Sequence, residues 1–423
     1  MEFHTLLATK GVEVNAPPAG STYSATTPSR HADTHSILLL TGMDLSSFPS
    51  PEFGHRMTHL LEYMEDRGIS FTAVFPAKRG GPGTRRIGHG VFIGLPFPSP
   101  GASPCKTAAR RDQAEAVRLL RSFVSLLGMR REKWDICIVH GATMALMAIA
   151  MRHLGRIRFV VYEDLDYLPA FSGAGHSFNK RQVALTESWV VRNSNLVVSV
   201  SNELTRLRLR QGAKRVLTVP NGARCSDFAK PGDPYSRKPI LLYSGSLSDW
   251  SGVNLTLRAL PEIRRRVPSA RFRVVGDGAR ADELKSFARA TGVAESVDFL
   301  GRKRPDELPI LYVDCSIGLA VFPKNELMYY SYPLKVPEFL AAGLPVVSTG
   351  ADGTKEFLES TRSGIIVEEN PDSVADACVR LLTDRAMWLE MSGNARTAAK
   401  ELDWLALFDN EMEHIWNMAG GME

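Results

Sequence analysis

The sequence contains no uninterrupted apolar run of about 18 residues, the length that crosses a bilayer as a helix. Its longest candidate, "ICIVHGATMALMAIAM", carries a His and a Gly, so no transmembrane helix is expected. The first 36 residues are rich in Ser, Thr, Pro and Ala and have no basic start followed by an apolar core. No secretory signal is therefore expected there, and residues 1–34 read as a flexible N-terminal extension. Cysteine is scarce: five in 423 residues (Cys105, Cys137, Cys225, Cys315, Cys378), with no C-x-x-C pair. An odd number of scattered cysteines excludes a disulfide frame and a zinc site, and fits reduced thiols in the cytoplasm. Charge of one sign is also lacking. A net charge of +5 and a pI near 8.9, without long basic runs, do not suit nucleic acid. They do suit an anionic ligand or an anionic membrane surface.

What is present is an ordinary soluble composition, 44% hydrophobic and 23% charged, in a chain long enough for two or three domains. Short β-branched runs alternate with amphipathic helical stretches. "SILLLTG", "ISFTAVFP", "DICIVHG", "IRFVVYED", "LVVSVS" and "RVLTVPNG" read as strands in the first half. A Gly/Pro/Arg stretch, "AKRGGPGTRRIGHG", reads as a loop. Residues 107–133 read as a long basic amphipathic helix carrying Arg110, Arg111, Arg118, Arg121, Arg130, Arg131 and Lys133, suited to docking on an anionic membrane. After Asn221-Gly222 a second series begins: "ILLYSGS", "ARFRVVGDG", "SVDFLG", "SIGLAVFP", "LPVVST" and "GIIVEE". This order predicts an α/β protein with two facing, doubly wound Rossmann-like domains. The expected divisions are a first domain over 35–222, a second over 223–400 and a helical tail over 401–423.

Three stretches carry candidate chemistry. In "YSYPLKVPEFLAAGLPVVSTG", Pro333 and Pro337 suit a helix's first turn, Gly343 its end, and "LPVVST" a buried parallel strand. Lys335 and Glu338 then lie at the mouth of an otherwise apolar helix. "VVYEDLDYLPAF" sets Glu163, Asp164 and Asp166 just beyond a strand's carboxyl end, where an acid can act as a general base or can pair with Arg. His140 ends the strand before it and is a second candidate base. The third, "VVGDGARA", spells G-x-G-x-x-A at Gly276, Gly278 and Ala281, but no acidic residue ends the following strand, as a nicotinamide cofactor's ribose would need. Trp250, Tyr312, Tyr329 and Tyr332 are either stacking groups for a base or sugar or core aromatics.

Five stretches in order, "LYSGSLSDWSGV", "ARFRVVGDG", "VDFLGRKRPDELPILYVDCSIGLAV", "YPLKVPEFLAAGLPVVSTG" and "SGIIVEENPDSVADAC", resemble the nucleotide-sugar glycosyltransferases of GT-B fold, family 4 and its relatives. "VPNGA" at 219–223 resembles that family's interdomain link, and "FGHRMTHLLEYMEDRGI" fits its first domain more loosely. The resemblance implies transfer of a sugar from a nucleoside-diphosphate sugar, which is substrate and not cofactor, to a saccharide or lipid-linked acceptor. It implies no metal, a cytoplasmic enzyme that can sit peripherally on the inner face of the cell membrane, and a role in polysaccharide or glycolipid assembly. Lys335 and the helix amides would face the donor's diphosphate, and Glu338 its ribose. Gly245, Ser246, Gly276, Arg302 and Tyr332 would complete the donor site, while Asp166, Asp164 or His140 would serve as the base. Three positions depart from the family pattern. The family's first Glu, eight positions before Glu338, is Tyr330 here, and its Arg and Lys fall at Ser246 and Ser251. With "YSYPLK..E", this resembles a side branch of exopolysaccharide, teichuronic-acid and xanthan-type glucuronosyltransferases that includes inverting enzymes. The alternative is a catalytically silent nucleotide-sugar-binding scaffold of the same fold.

Overall fold

The computed structural model describes residues 35–43, 45, 56–77, 83–96, 133–171, 180–228 and 238–421. The basic segment expected as a helix over 107–133 lies, apart from Lys133, outside the described residues, as does the extension 1–34. The chain forms two compact units. The first runs to Val219 and takes back the chain from Phe408 onward; the second is Pro220–Leu407.

The first unit has an eight-stranded sheet in the order β3-β4-β2-β1-β5-β6-β7-β8. Its strands are β1 (Ile37–Thr41), β2 (Phe71–Ala77), β3 (Gly83–Ile87), β4 (Gly90–Pro96), β5 (Trp134–His140), β6 (Ile157–Asp164), β7 (Leu196–Ser199) and β8 (Val216–Thr218). All pairs are parallel except β3–β4. That pair corrects the loop expected from "AKRGGPGTRRIGHG": residues 83–96 form a hairpin turning at Gly88, whose φ of +51° suits glycine. Arg85 and Arg86 place charge on its edge strand β3. Helices α1 (Arg56–Asp66), α2 (Ala142–His153), α3 (Lys180–Asn193) and α4 (Asn202–Arg210) belong to this unit. The central strands are buried on both faces, as their continuous apolar runs require.

The second unit holds a six-stranded parallel sheet in the order β11-β10-β9-β12-β13-β14. These strands are β9 (Ile240–Ser244), β10 (Arg271–Val275), β11 (Val297–Phe299), β12 (Ile317–Ala320), β13 (Val346–Ser348) and β14 (Gly364–Ile366). Chain order reverses between β9 and β12, so a crevice forms beyond the carboxyl ends of those two strands. Helices α5 (Val253–Arg266), α6 (Ala281–Ala290), α7 (Lys335–Ala341), α8 (Pro371–Thr383) and α9 (Arg385–Ala399) accompany it. One face of this sheet packs on α5 and α8 through residues such as Leu257, Leu260, Phe272, Leu319 and Val374.

The tail expected over 401–423 holds a helix over most of its length. Its helix, α10 (Trp404–Gly420), starts among residues of the second unit and passes into the first at Phe408. There Tyr63 on α1 donates to Asp409 at 2.9 Å, and its ring lies 5.5 Å from that of Phe408. Arg56 donates to Glu163 at 2.8 Å, to the Val219 carbonyl at 3.2 Å, and to Glu411. One cation thus meets two carboxyl groups, all buried. Burial raises the Glu411 carboxyl well above the usual range despite Arg56, and the charge of Glu163 adds to the rise. The set is closest to neutral when Glu411 keeps its proton.

Candidate functional site

Five side chains of the second unit, Lys335, Glu338, Tyr243, Phe322 and Tyr312, converge at the β9/β12 crevice. The turn "SYPL" brings the chain into α7, so that Lys335 opens the helix and Glu338 stands one turn further on. The Lys335 ammonium lies 3.9 Å from the centre of the Tyr243 ring and 4.9 Å from that of Phe322, the geometry of a cation held by aromatic faces. Burial lowers its pKa to about 7, against the charges of Glu338 and Asp352, which favour the ammonium. Glu338 is raised to about 7, again by burial, against the Tyr312 hydroxyl and Lys335. Tyr312 donates to Glu338 Oε2 at 3.0 Å, which orients the carboxyl and leaves Oε1 for another donor.

The loops after β9 and β10 meet backbone to backbone here. A Cβ on Gly276 (φ +141°) would stand 1.8 Å from the Gly245 carbonyl oxygen, and one on Gly245 (φ +135°) would stand 2.9 Å from Lys335 Nζ. The G-x-G pattern at 276–278 is therefore explained by loop packing against Gly245 and Leu247. Tyr243 donates to the Ser246 carbonyl at 2.7 Å, holding the same loop. Tyr332 is buried just before α7, and its carbonyl accepts from Asn221 at 2.7 Å. Arg302 is exposed beyond β11, at the same carboxyl edge of the sheet. Ser251, where the family carries a cation, lines a cavity of about 240 Å³ with Arg258 and Arg280. Arg280 is already ion-paired to Asp249 and Glu283.

Of these groups, Lys335, Glu338, Gly245 and Gly276 were legible as a set, and the structure brings them together. Tyr243, Phe322 and Asp352 were not expected. The only signal for Tyr243 was its place two residues before Gly245, at a strand end.

In the first unit the acids at the end of β6 divide. Glu163 is taken by Arg56. Asp164 accepts from Arg208 at 2.6 and 2.8 Å through both oxygens, and from Ser199 at 3.2 Å. Asp164, one of the expected bases, is thus held through both oxygens by Arg208, with neither side chain exposed. Arg208 also donates to Glu187 at 2.7 Å. Burial opposes the guanidinium's charge, but Asp164 and Glu187 outweigh it and raise its pKa. Glu187 also accepts from the Leu168 amide at 3.3 Å, fixing the turn that follows Asp166.

Asp166 is not part of that clamp. It is half-buried, and burial, with the charges of Asp164 and Glu187, raises its carboxyl to about 7. His140 sits beside Glu163 across the β5–β6 register and 3.5 Å from the Thr41 hydroxyl. Burial lowers its pKa, though Glu163 and Asp164 pull the other way. Among the described residues no group of three or more His, Cys, Asp or Glu is arranged to hold a metal ion.

The fold is shared with sucrose-phosphate synthase from Thermosynechococcus elongatus, at a TM-score of 0.72 over 92% of this chain and 100% of that one, with 15% identity. Residues 53–222 match the family described as glycosyl transferase 4-like domain, and residues 238–384 match glycosyl transferases group 1. The chain belongs to the GT-B glycosyltransferases and is GT4-like. This glycosyltransferase is 26% identical over 279 residues to a glycogen synthase of Mycobacterium tuberculosis, covering 64% of this chain and 66% of that protein. It is 27% identical over 316 residues to a D-inositol 3-phosphate glycosyltransferase of Corynebacterium aurimucosum, covering 69% of each. Anabaena Alr3699/HepE, solved in complex with UDP, has the same fold at a TM-score of 0.65 and 16% identity, over 90% of this chain and 99% of that one. The relatives and the two matched families are glycosyltransferases and give the silent-scaffold alternative no support.

Proposed function

We propose that this glycosyltransferase moves a sugar from a nucleoside-diphosphate sugar to a saccharide or lipid-linked acceptor, with the second unit holding the donor. The observation that carries the donor assignment is the placing of Lys335 and Glu338 at the start of α7, with Gly245 leaving room for the Lys335 ammonium. A diphosphate here would meet that ammonium and the amides of the helix's first turn. Glu338 Oε1 would accept from the ribose diol while Tyr312 fixes Oε2. UDP in the HepE structure and the name of a GDP-mannose-dependent mycobacterial relative, 31% identical over 40% of this chain, support a nucleotide-sugar donor. In the reaction, an acceptor hydroxyl attacks the anomeric carbon and the bond to the diphosphate oxygen breaks. The hydroxyl proton goes to Asp166, the nucleoside diphosphate leaves, and Lys335 balances its growing charge. This inverting course needs no metal. It fits the side branch of exopolysaccharide and xanthan-type enzymes, with a place in cytoplasmic polysaccharide or glycolipid assembly. Thermal stabilisation by UDP-, GDP- and dTDP-sugars tests the donor class directly, since binding to the native state raises stability by mass action. No stabilisation by any of them would overturn the proposal.

Two substitutions test the donor site. Glu338→Ala is expected to weaken nucleoside-diphosphate binding by about 1.5–3 kcal/mol, the usual worth of hydrogen bonds to a charged group. Calorimetry that gives unchanged affinity would remove Glu338 from the site. Lys335→Ala is expected to weaken a nucleoside diphosphate at least about tenfold while leaving the bare nucleoside nearly unchanged. Equal losses for the two ligands would make Lys335 a packing residue between Tyr243 and Phe322.

A further inference from the structure

Helices α2 and α3 pack against one another in the first unit, and their outward sides share an uncommon composition. Among the described residues seven large hydrophobic side chains are exposed, and four of them lie here: Leu146 (37%) on α2, Leu154 (59%) just past its end, and Leu185 (60%) and Trp189 (44%) on α3. Leu185 and Trp189 are four residues apart and so stack along one face of their helix. The exposed charge on these two helices is of one sign. Helix α2 contains no Asp or Glu. The one acid of α3, Glu187, is fully buried against Arg208. Lys180, Arg181 and Arg192 are exposed on α3.

We propose that this α2–α3 face docks the protein on an anionic lipid surface. Charge complementarity selects the occupant: exposed Arg and Lys with no exposed carboxylate on either helix attract a negative layer. A tryptophan with neighbouring leucines is the set that inserts at the headgroup boundary. No helix among the described residues is long and apolar enough to cross a membrane. The proposal draws its purpose from the lipid-linked half of the acceptor reading above, since docking would bring the enzyme to a substrate confined to the bilayer.

Flotation of the full chain with vesicles tests it. The protein should float with phosphatidylcholine vesicles containing about one third phosphatidylglycerol at low salt, release at high salt, and ignore pure phosphatidylcholine. The pairs Leu185→Ser with Trp189→Ser, and Arg181→Glu with Arg192→Glu, should each lower the bound fraction about tenfold. Both should keep the thermal stabilisation by nucleoside diphosphate and the transfer to a soluble saccharide, which shows that the fold and site survive. The proposal is overturned if the native protein ignores anionic vesicles. It is also overturned if the variants float like the native chain, which would move binding to another segment such as 107–133. A change in oligomeric state by light scattering would overturn it too, making the face a contact between copies. Vesicle binding without turnover on any donor would leave the docking standing and remove the proposed reaction.

Discussion

Replacing Arg208 by Leu is expected to destabilise the first unit by about 3–5 kcal/mol, the cost of leaving buried charge without its partner. Asp164 and Glu187 both face the guanidinium with no exposure of any of the three side chains. Removing the cation strands two carboxylates that water cannot reach. The expected readout is an earlier urea transition with the slope unchanged. Restoring neutrality should recover much of the loss, so Arg208→Leu combined with Asp164→Asn and Glu187→Gln is expected to be more stable than Arg208→Leu alone. If the single variant unfolds where the native protein does, the cluster is not the organising charge set of the β6–β7 edge. The turn after Asp166 should move with it, because Glu187 also holds the Leu168 amide.

Asp166→Asn is expected to lower turnover about a hundredfold or more, the scale of a lost general base, with donor affinity nearly unchanged. The pH dependence has a definite sign. Burial and the neighbouring carboxylates raise this group to about 7, so it is protonated and idle as a base at pH 6. Turnover should climb as pH rises through about 7 and level off above it, and Asp166→Asn should flatten that limb. The same shift runs the other way for stability: a carboxyl raised above its unfolded value favours the fold when protonated, and that contribution fades as pH rises from about 4 through 7. If His140→Ala gives the loss instead, the neutral imidazole is the base. If neither does, the inverting course fails.

The doubly wound architecture was legible because buried parallel strands are written as short β-branched runs separated by helical periods, and runs such as "ILLLT" and "IRFVVYED" leave little choice. The β3–β4 hairpin was not. Its glycines and arginines look like a loop, and only pairing with β2 makes a strand of "GVFIGLP". Lys335 and Glu338 were readable because both lie on one short helix with proline punctuation. Their surroundings were not, because Tyr243 reaches Lys335 from β9 and Phe322 from the loop after β12. The fate of the acids at the end of β6 was hidden for the same reason: Arg208 meets Asp164 across 44 residues of sequence and Arg56 meets Glu163 across 107. Local pattern can mark an acid as a candidate, but only the fold decides which acids an arginine claims.

The return of α10 to the first unit sets a timetable for synthesis. Arg56 and Glu163 leave the ribosome before any of β9–β14, whereas Phe408, Asp409 and Glu411 leave after all of them. The first unit is thus begun early and closed last. A nascent chain paused anywhere in the second unit still lacks the ring that packs on Tyr63 and Arg56 and the carboxylate that anchors the Tyr63 hydroxyl. During that interval the first unit presents an unfinished apolar and charged surface, a natural target for chaperones, and translation speed through residues 220–407 governs how long it stays open.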